Sequence, residues 1–199
     1  MSAVPRPETD WWWIRHAPVP NAPPFLGWRD PPADLDHPAA CAALRRRLPP
    51  EATWLASDLR RAVQTAEALA DALPLRCDPA LREQSFGAWE REEPTQSTLD
   101  AFWRAPATSR PPEGESFADL CARVARFIDD RSRPGSIVAV AHAGVIRAAA
   151  AHALGLPPER ALSLSVDPLS ITRLTWFGPP DDRGFGGGWA VRTLNQPFL

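Results

Sequence analysis

The sequence predicts a three-layer α/β fold, in which a mostly parallel central sheet is flanked by helices. Two apolar runs, residues 11–14 and 136–141, have the unbroken hydrophobicity of strands that are buried on both faces. Between them, apolar residues recur at helical spacing over residues 59–73 and 117–128. Strands that alternate with helices along a chain indicate a parallel sheet with helices on its faces.

The remaining elements follow from the same two periodicities and from the turn residues that separate them. In chain order, the predicted elements are strand 11–14, helix 37–48, strand 53–56, helix 59–73, strand 75–77, helix 96–104, helix 117–128, strand 136–141, helix 144–154, strand 171–177 and strand 189–194.

Prolines and capping residues set the boundaries in the first half of the chain. The prolines between residues 17 and 35 predict an irregular loop after the first strand. Asp36 is predicted to cap the helix that follows, and Pro49 and Pro50 end it. The short apolar run 53–56 then ends in polar residues, which is typical of a buried strand.

In the second half, residues 78–114 are the least regular, with one helix predicted at residues 96–104. Ser116 and Asp119 have the spacing of a capping box and predict the start of the next helix. A Pro-Gly turn at residues 134–135 introduces the clearest strand of the chain, and Gly155 ends the helix after it. Two late strands are predicted on either side of a glycine-rich turn.

A single domain is predicted for residues 1–199, with residues 1–10 as a loose lead-in, because no repeat or linker divides the chain. A formal net charge of −2 gives no reason to expect nucleic acid or an acidic membrane as a partner. All 22 basic residues are arginine, so chemistry that depends on a lysine, such as a Schiff base or a P-loop, is excluded.

The cysteine and hydropathy patterns are typical of a cytoplasmic protein. Cys41, Cys77 and Cys121 lack CxxC spacing, which argues against a disulfide framework and against a zinc site. No signal-peptide pattern opens the sequence, and no apolar run reaches membrane-spanning length. We therefore expect a cytoplasmic protein that needs no metal and no other cofactor and has no membrane partner.

Basic residues and histidines follow three of the predicted strands. They are Arg15 and His16 after the first strand, Arg60 and Arg61 after the second, and His142 and Arg147 after the strand 136–141. In α/β sheets, ligands bind at the carboxyl ends of the strands. Arginine forks and helix N-termini at such an edge favour a phosphate-like dianion, and a histidine beside them can accept a phosphoryl group.

Five segments of the chain match the motifs of one family in order. They are RHA at 15–17, SDLRRAVQTA at 57–66, LREQSFGAWE at 81–90, GES at 114–116 and VAHAGVIR at 140–147. Together they resemble the histidine phosphatase superfamily, which is also called phosphoglycerate mutase-like, over about residues 11–155. The resemblance implies the phosphoglycerate mutase-like α/β fold.

The resemblance also implies a role for each matched residue. His16 would be the nucleophile that becomes phosphohistidine, and Glu83 would be the proton donor. Arg15, Arg61 and His142 would bind the phosphoryl oxygens. These roles agree with elementary chemistry, because an imidazole attacks only when neutral and nearby arginines disfavour its protonated form. Arginine forks can also stabilise the transition state without a metal.

Several positions depart from the family pattern. Ala17 stands where glycine is usual, and Val19 stands where a hydroxyl residue is common. Asn21 lies one residue earlier than the usual asparagine and is assigned to the phosphate site. Glu83 is favoured as the acid by its place before Phe86-Gly87, and Glu90 is the next carboxylate to consider.

The leading hypothesis is a metal-independent phosphomonoesterase that acts on a small phosphorylated metabolite. The chain most resembles α-ribazole phosphatase and its small relatives, which implies α-ribazole 5′-phosphate, a cobalamin precursor, as a substrate. Three alternatives stay open: a phosphoglycerate mutase-type phosphoryl transferase, a phosphohistidine protein phosphatase, and a non-catalytic relative that binds a phosphorylated ligand. A homodimer is also a possible state.

Overall fold

Six strands form one sheet in the order β3-β2-β4-β1-β5-β6 in the computed structural model, which describes residues 8–70, 73–178 and 188–198. The strands are Thr9–Arg15 (β1), Thr53–Ala56 (β2), Leu75–Cys77 (β3), Gly135–Ala141 (β4), Ile171–Trp176 (β5) and Trp189–Gln196 (β6).

The sheet is mostly parallel, as the sequence predicts. β1 pairs in parallel with β4, and β2 pairs in parallel with both β4 and β3. β5 is the exception, because it runs antiparallel to both of its neighbours, β1 and β6. The carboxyl ends of β1, β2 and β4 therefore lie at one edge of the sheet, side by side.

Helices cover both faces of the sheet. The α-helices are Pro38–Arg47 (α1), Arg60–Ala70 (α2), Gln96–Arg104 (α3), Phe117–Asp129 (α4), Ala143–Leu154 (α5) and Pro158–Ala161 (α6).

Alternation along β1 builds two hydrophobic cores. Trp11 and Trp13 are fully buried on one face, where they stack at 5.1 Å and pack with α4 and α5. Ile14 is fully buried on the other face, in a core with residues of α1 and α2. The four consecutive apolar residues that predict a strand buried on both sides are thus confirmed, and so are the three layers.

Two boundaries near the start of the chain differ from the prediction. β1 begins at Thr9, inside the predicted lead-in 1–10, because the buried Asp10 carboxylate is satisfied by Arg173 and Thr175 of β5. Asp36 does not cap α1, since the N-cap is His37 and no side chain bonds the helix start. A proline in the first turn, which has no N–H to satisfy, reduces the need for a cap.

The boundaries of the other predicted elements are confirmed to within three residues, and α6 is an addition that the sequence does not predict. The capping box of Ser116 and Asp119 at the start of α4 is present. Residues 1–7 of the predicted lead-in, residues 71–72 of the predicted helix and most of the glycine-rich turn lie outside the described residues. Among the described residues, no helix is long and apolar enough to cross a membrane.

Candidate active site

A cavity of about 650 Å³ opens at the carboxyl edge of the sheet. Arg15 and His16 reach it from the end of β1, and Arg61 reaches it from the first turn of α2. Glu83 enters from the irregular segment after β3, and Gly144 from the first turn of α5. Side chains that are far apart in the sequence therefore line a single space.

His16 is held by the backbone around it. Its N–H donates to the carbonyl of Ala141 at 2.9 Å, which ties the end of β1 to the end of β4. Its ring Nδ1 lies 2.6 Å from the carbonyl of Ala17. Since a carbonyl can only accept, Nδ1 carries the proton, and Nε2 keeps the lone pair that a nucleophile needs.

The surroundings of His16 keep its ring neutral. Burial lowers the pKa of His16 to about 3, and the positive charges of Arg61 and Arg15 add to this, against a smaller opposite effect of the Ala17 carbonyl. His142 lies behind it, with ring centroids 5.0 Å apart. Burial lowers the pKa of His142 well below its ordinary value, and both of its ring nitrogens lack a hydrogen-bond partner within the described residues.

Two arginines are fixed beside the histidines by backbone carbonyls. Arg15 donates from Nη1 to the Val166 carbonyl at 2.6 Å. Arg61 is fully buried and donates to the carbonyls of Arg29 at 2.7 Å and Gly27 at 2.8 Å. In both side chains Nε is buried and has no partner among the described residues. Each guanidinium therefore has an N–H donor that is free to bind an anion.

The Glu83 carboxyl group is held against the N-terminus of α5. Its Oε2 accepts from the N–H of Gly144 at 3.1 Å, and its Oε1 accepts from the N–H of Gln84 at 3.0 Å. A Cβ atom at position 144 would collide with Oε1 of Glu83. Glycine is therefore required at the start of α5 because the carboxylate occupies that space.

We expect Gly144→Ala to displace Glu83 and to lower kcat for alkyl phosphates by about 10²-fold, the scale of a misplaced catalytic group. The fold should be retained, because the groups that the new methyl would meet, in Glu83 and Leu120, are the ends of flexible side chains, and alanine is the better helix former. Steady-state kinetics and a thermal melt check this together. Full activity in a folded variant would show that catalysis does not depend on the contact between Glu83 and Gly144.

The backbone of residue 83 is fixed from two sides. Arg123 of α4 donates to the carbonyls of Ala80 at 2.7 Å and of Arg82 at 3.1 Å, and pairs with Glu115 at 2.6 Å. The indole N–H of Trp28 donates to the Glu83 carbonyl at 2.8 Å. The segment that carries Glu83 is thus anchored although it has no regular secondary structure.

The structure separates Glu83 from its competitor Glu90. Oε1 of Glu90 accepts from the N–H of Phe86 at 2.7 Å, and the carboxyl group packs against Gly27, whose φ is +48°. Glu90 is buried and does not line the cavity. It closes the turn that follows Glu83 and supports the Gly27 turn that holds Arg61.

Aromatic and aliphatic side chains form the outer wall of the cavity. They are Leu26, Phe86, Phe102, Trp103, Phe117 and Leu162, together with several prolines. Trp103 of α3 is 61% exposed, so a flat face is available at the mouth of the cavity. Trp89 is instead buried against Phe25 and Phe102.

Most of the residues assigned from the sequence come together here. Arg15, His16, Arg61 and Glu83 line the cavity, and His142 contacts the ring of His16 from behind. Asn21 has a left-handed φ of 53°, is exposed and is not among the lining residues, so its contact with phosphate stays a prediction.

Two functional positions, Gly144 and Trp28, are not identified from the sequence, whereas Arg147 is already one of the basic residues that follow the predicted strands. Arg147 of α5 lines the cavity and donates from Nε to the Leu164 carbonyl at 2.8 Å. Gly144 and Trp28 position Glu83. A signal for Gly144 and Arg147 is present, because both belong to the matched segment 140–147.

The arrangement offers a neutral imidazole lone pair, the cationic donors of Arg15 and Arg61 and the carboxyl group of Glu83 in one cavity. Nucleophilic attack on phosphorus, charge neutralisation and proton transfer can therefore all take place within one space. The described residues contain no cluster of three or more histidine, cysteine or acidic side chains that could hold a metal ion.

Fold and site together define a phosphoglycerate mutase-like α/β protein. The chain belongs to the histidine phosphatase superfamily (branch 1), whose family model matches residues 11–185. The α-ribazole phosphatase from Shigella flexneri has a similar structure, with a TM-score of 0.77 and 25% identity over 94% of this chain and 96% of that one.

Curated relatives support the family assignment. The glucosyl-3-phosphoglycerate phosphatase of Mycobacterium tuberculosis is 37% identical over 139 residues, which is 60% of this chain and 60% of the relative. The adenosylcobalamin/α-ribazole phosphatase of Escherichia coli K12 is 32% identical over 155 residues, 72% of this chain and 68% of the relative. The chain thus spans less than two thirds of the mycobacterial relative.

Proposed function

We propose that this protein is a metal-independent phosphomonoesterase that acts through a phosphohistidine at His16. The observation that carries the proposal is the Nδ1 contact with Ala17, which leaves the Nε2 lone pair of a neutral ring beside Arg15 and Arg61. A binding module needs the arginines but has no use for a neutral, oriented imidazole. Glu83 in the same cavity supplies the acid that such a nucleophile requires.

The first chemical step forms a bond between Nε2 of His16 and phosphorus and breaks the bond between phosphorus and the ester oxygen. Protonated Glu83 gives its proton to the departing oxygen, so the product leaves as a neutral alcohol. Arg15 and Arg61 neutralise the charge on the phosphoryl oxygens throughout. His142 contacts the ring of His16 but does not line the cavity, so its contact with a phosphoryl oxygen stays a prediction.

The second step returns the enzyme to its starting state. The Glu83 carboxylate takes a proton from a water molecule, whose oxygen attacks phosphorus from the side that the alcohol has left. The bond between phosphorus and Nε2 breaks, and His16 recovers its lone pair. Inorganic phosphate is released, and Glu83 is protonated for the next cycle. The arginines balance the charge on the phosphoryl group, so no metal ion is needed.

The aromatic outer wall of the cavity favours a substrate whose leaving group is flat and apolar. Phe86 and Trp103 can stack on a ring, whereas a polyhydroxylated sugar would leave this wall poorly matched. The benzimidazole nucleoside of α-ribazole 5′-phosphate fits this description, and the Escherichia coli relative is named for that substrate. We therefore propose a small phosphorylated metabolite of this kind as the substrate.

A panel of phosphorylated metabolites, assayed for phosphate release in EDTA, tests the proposal. The panel should include α-ribazole 5′-phosphate, a sugar phosphate, 3-phosphoglycerate and a phosphohistidine peptide. We expect phosphate release that EDTA does not reduce, with the highest kcat/KM for the aromatic substrate. Phosphate moved between hydroxyls of glycerate without release would instead show a mutase. Binding without turnover would show a non-catalytic relative, and loss of turnover on chelation would refute the metal-independent mechanism.

A further inference from the structure

A buried chain of hydrogen bonds connects the ring of His16 to the helix that carries Arg61. Nδ1 of His16 donates to the Ala17 carbonyl at 2.6 Å, and the N–H of Ala17 donates to Oγ1 of Thr65 at 2.9 Å. The hydroxyl of Thr65 in turn donates to the Arg61 carbonyl at 2.7 Å. Since an amide N–H can only donate, the hydroxyl must accept from Ala17, and the direction of every bond is fixed.

Helix formation alone does not explain a threonine at position 65. Thr65 lies inside α2 and is fully buried, where alanine is the better helix former. The Arg61 carbonyl can accept the ordinary helical bond four residues on, so it does not depend on the hydroxyl. The N–H of Ala17, by contrast, has no other acceptor among the described residues. The hydroxyl therefore serves the chain that leads to His16.

We infer that Thr65 is a positioning residue for the nucleophile. It anchors Ala17, so that the Ala17 carbonyl holds the His16 ring in the tautomer whose Nε2 can attack phosphorus. Without the anchor, the carbonyl of residue 17 can turn away, and the ring proton can move to Nε2, where it blocks attack. This inference rests on the proposed phosphohistidine mechanism.

The test compares three variants. Thr65→Val has nearly the same shape but lacks the hydroxyl, and Thr65→Ser restores the hydroxyl. Thr172→Val is the matched control, because Thr172 is another fully buried threonine whose Oγ1 accepts a backbone N–H, that of Asn195 at 3.1 Å. Thr172 lies on β5 and has no bond to the chain that ends at His16.

Two readouts are needed: steady-state kinetics, and ¹⁵N NMR of the histidine rings, which shows the protonated nitrogen directly. We expect Thr65→Val to lower kcat by about 10- to 100-fold with little change in KM, the scale of a small misplacement. Its His16 signal should show protonated Nε2, whereas the wild type should show only protonated Nδ1. Thr65→Ser should restore both, and Thr172→Val should change neither.

Several results would overturn the inference. One is a folded Thr65→Val variant with wild-type kcat and the wild-type tautomer, and another is a Thr65→Ser variant as impaired as Thr65→Val. An equal loss of kcat in Thr172→Val would show general destabilisation instead. If Thr65→Val does not fold, Thr65→Ala removes the same hydroxyl with a better helix former. The NMR readout needs no turnover, so it tests the anchor even if the proposed activity fails.

Discussion

His16→Ala is expected to lower kcat for every substrate by on the order of 10⁴-fold or more. Losses of this size are typical when the nucleophile of an active site is removed. The physical reason is that no other described side chain in the cavity offers a neutral nitrogen lone pair. His142 is close, but it lies behind His16 and does not line the cavity. Arg15 and Arg61 should still bind phosphate in the variant, so binding and turnover should separate.

Covalent capture gives the corresponding measurement. Wild-type protein mixed with a labelled phosphomonoester and quenched in alkali should carry a phosphate that is stable to base and labile to acid, as a phosphorus–nitrogen bond is. His37→Ala is the control, since His37 is partly exposed and lies outside the cavity. It should be labelled as the wild type is. A covalent phosphate that persists in His16→Ala would refute phosphohistidine catalysis at this residue.

The sequence predicts where a buried strand lies better than it predicts where the strand begins or in which direction it runs. The four apolar residues before Arg15 predict β1 because burial on both faces requires an unbroken apolar run. The same pattern misses Thr9 and Asp10, since the Asp10 side chain is satisfied by β5, which lies more than 160 residues away. Local periodicity contains no information on such partners. The reversed direction of β5 is missed for the same reason.

The family motifs predict which residues meet, but local patterns do not predict why each stays in place. In the sequence, Arg61 is one of two adjacent arginines at the start of a predicted helix. Only the structure shows that its guanidinium donates to a carbonyl of the Gly27 turn. Thr65 has no special feature in the sequence, and only the structure shows that its hydroxyl accepts from the N–H of Ala17. Asn21 is assigned by its position in a motif that is shifted here by one residue, and the structure leaves it exposed.

We expect Glu83 to serve both the departure of the leaving group and the later attack of water. Glu83→Gln should slow hydrolysis of an alkyl phosphate by about 10²–10⁴-fold, because a poor leaving group needs the proton that glutamine cannot supply. With p-nitrophenyl phosphate the leaving group departs without a proton, so the first step should be nearly unchanged. A pre-steady-state burst of nitrophenol should therefore persist, followed by slow turnover, since water attack on the phosphohistidine still needs the carboxylate.

Glu90→Gln is the matched comparison, because it changes the other carboxylate beside the site and keeps an oxygen that can accept from the N–H of Phe86. Its effect should be small and equal for both leaving groups. The Glu83 carboxyl group accepts from the N–H groups of Gly144 and Gln84 and lines the cavity, so it can exchange a proton with the substrate. Glu90 does not line the cavity, and its carboxyl group accepts from the N–H of Phe86. If Glu83→Gln slows the first step equally for both leaving groups, Glu83 is not the acid. A leaving-group-dependent loss in Glu90→Gln would transfer that role to Glu90.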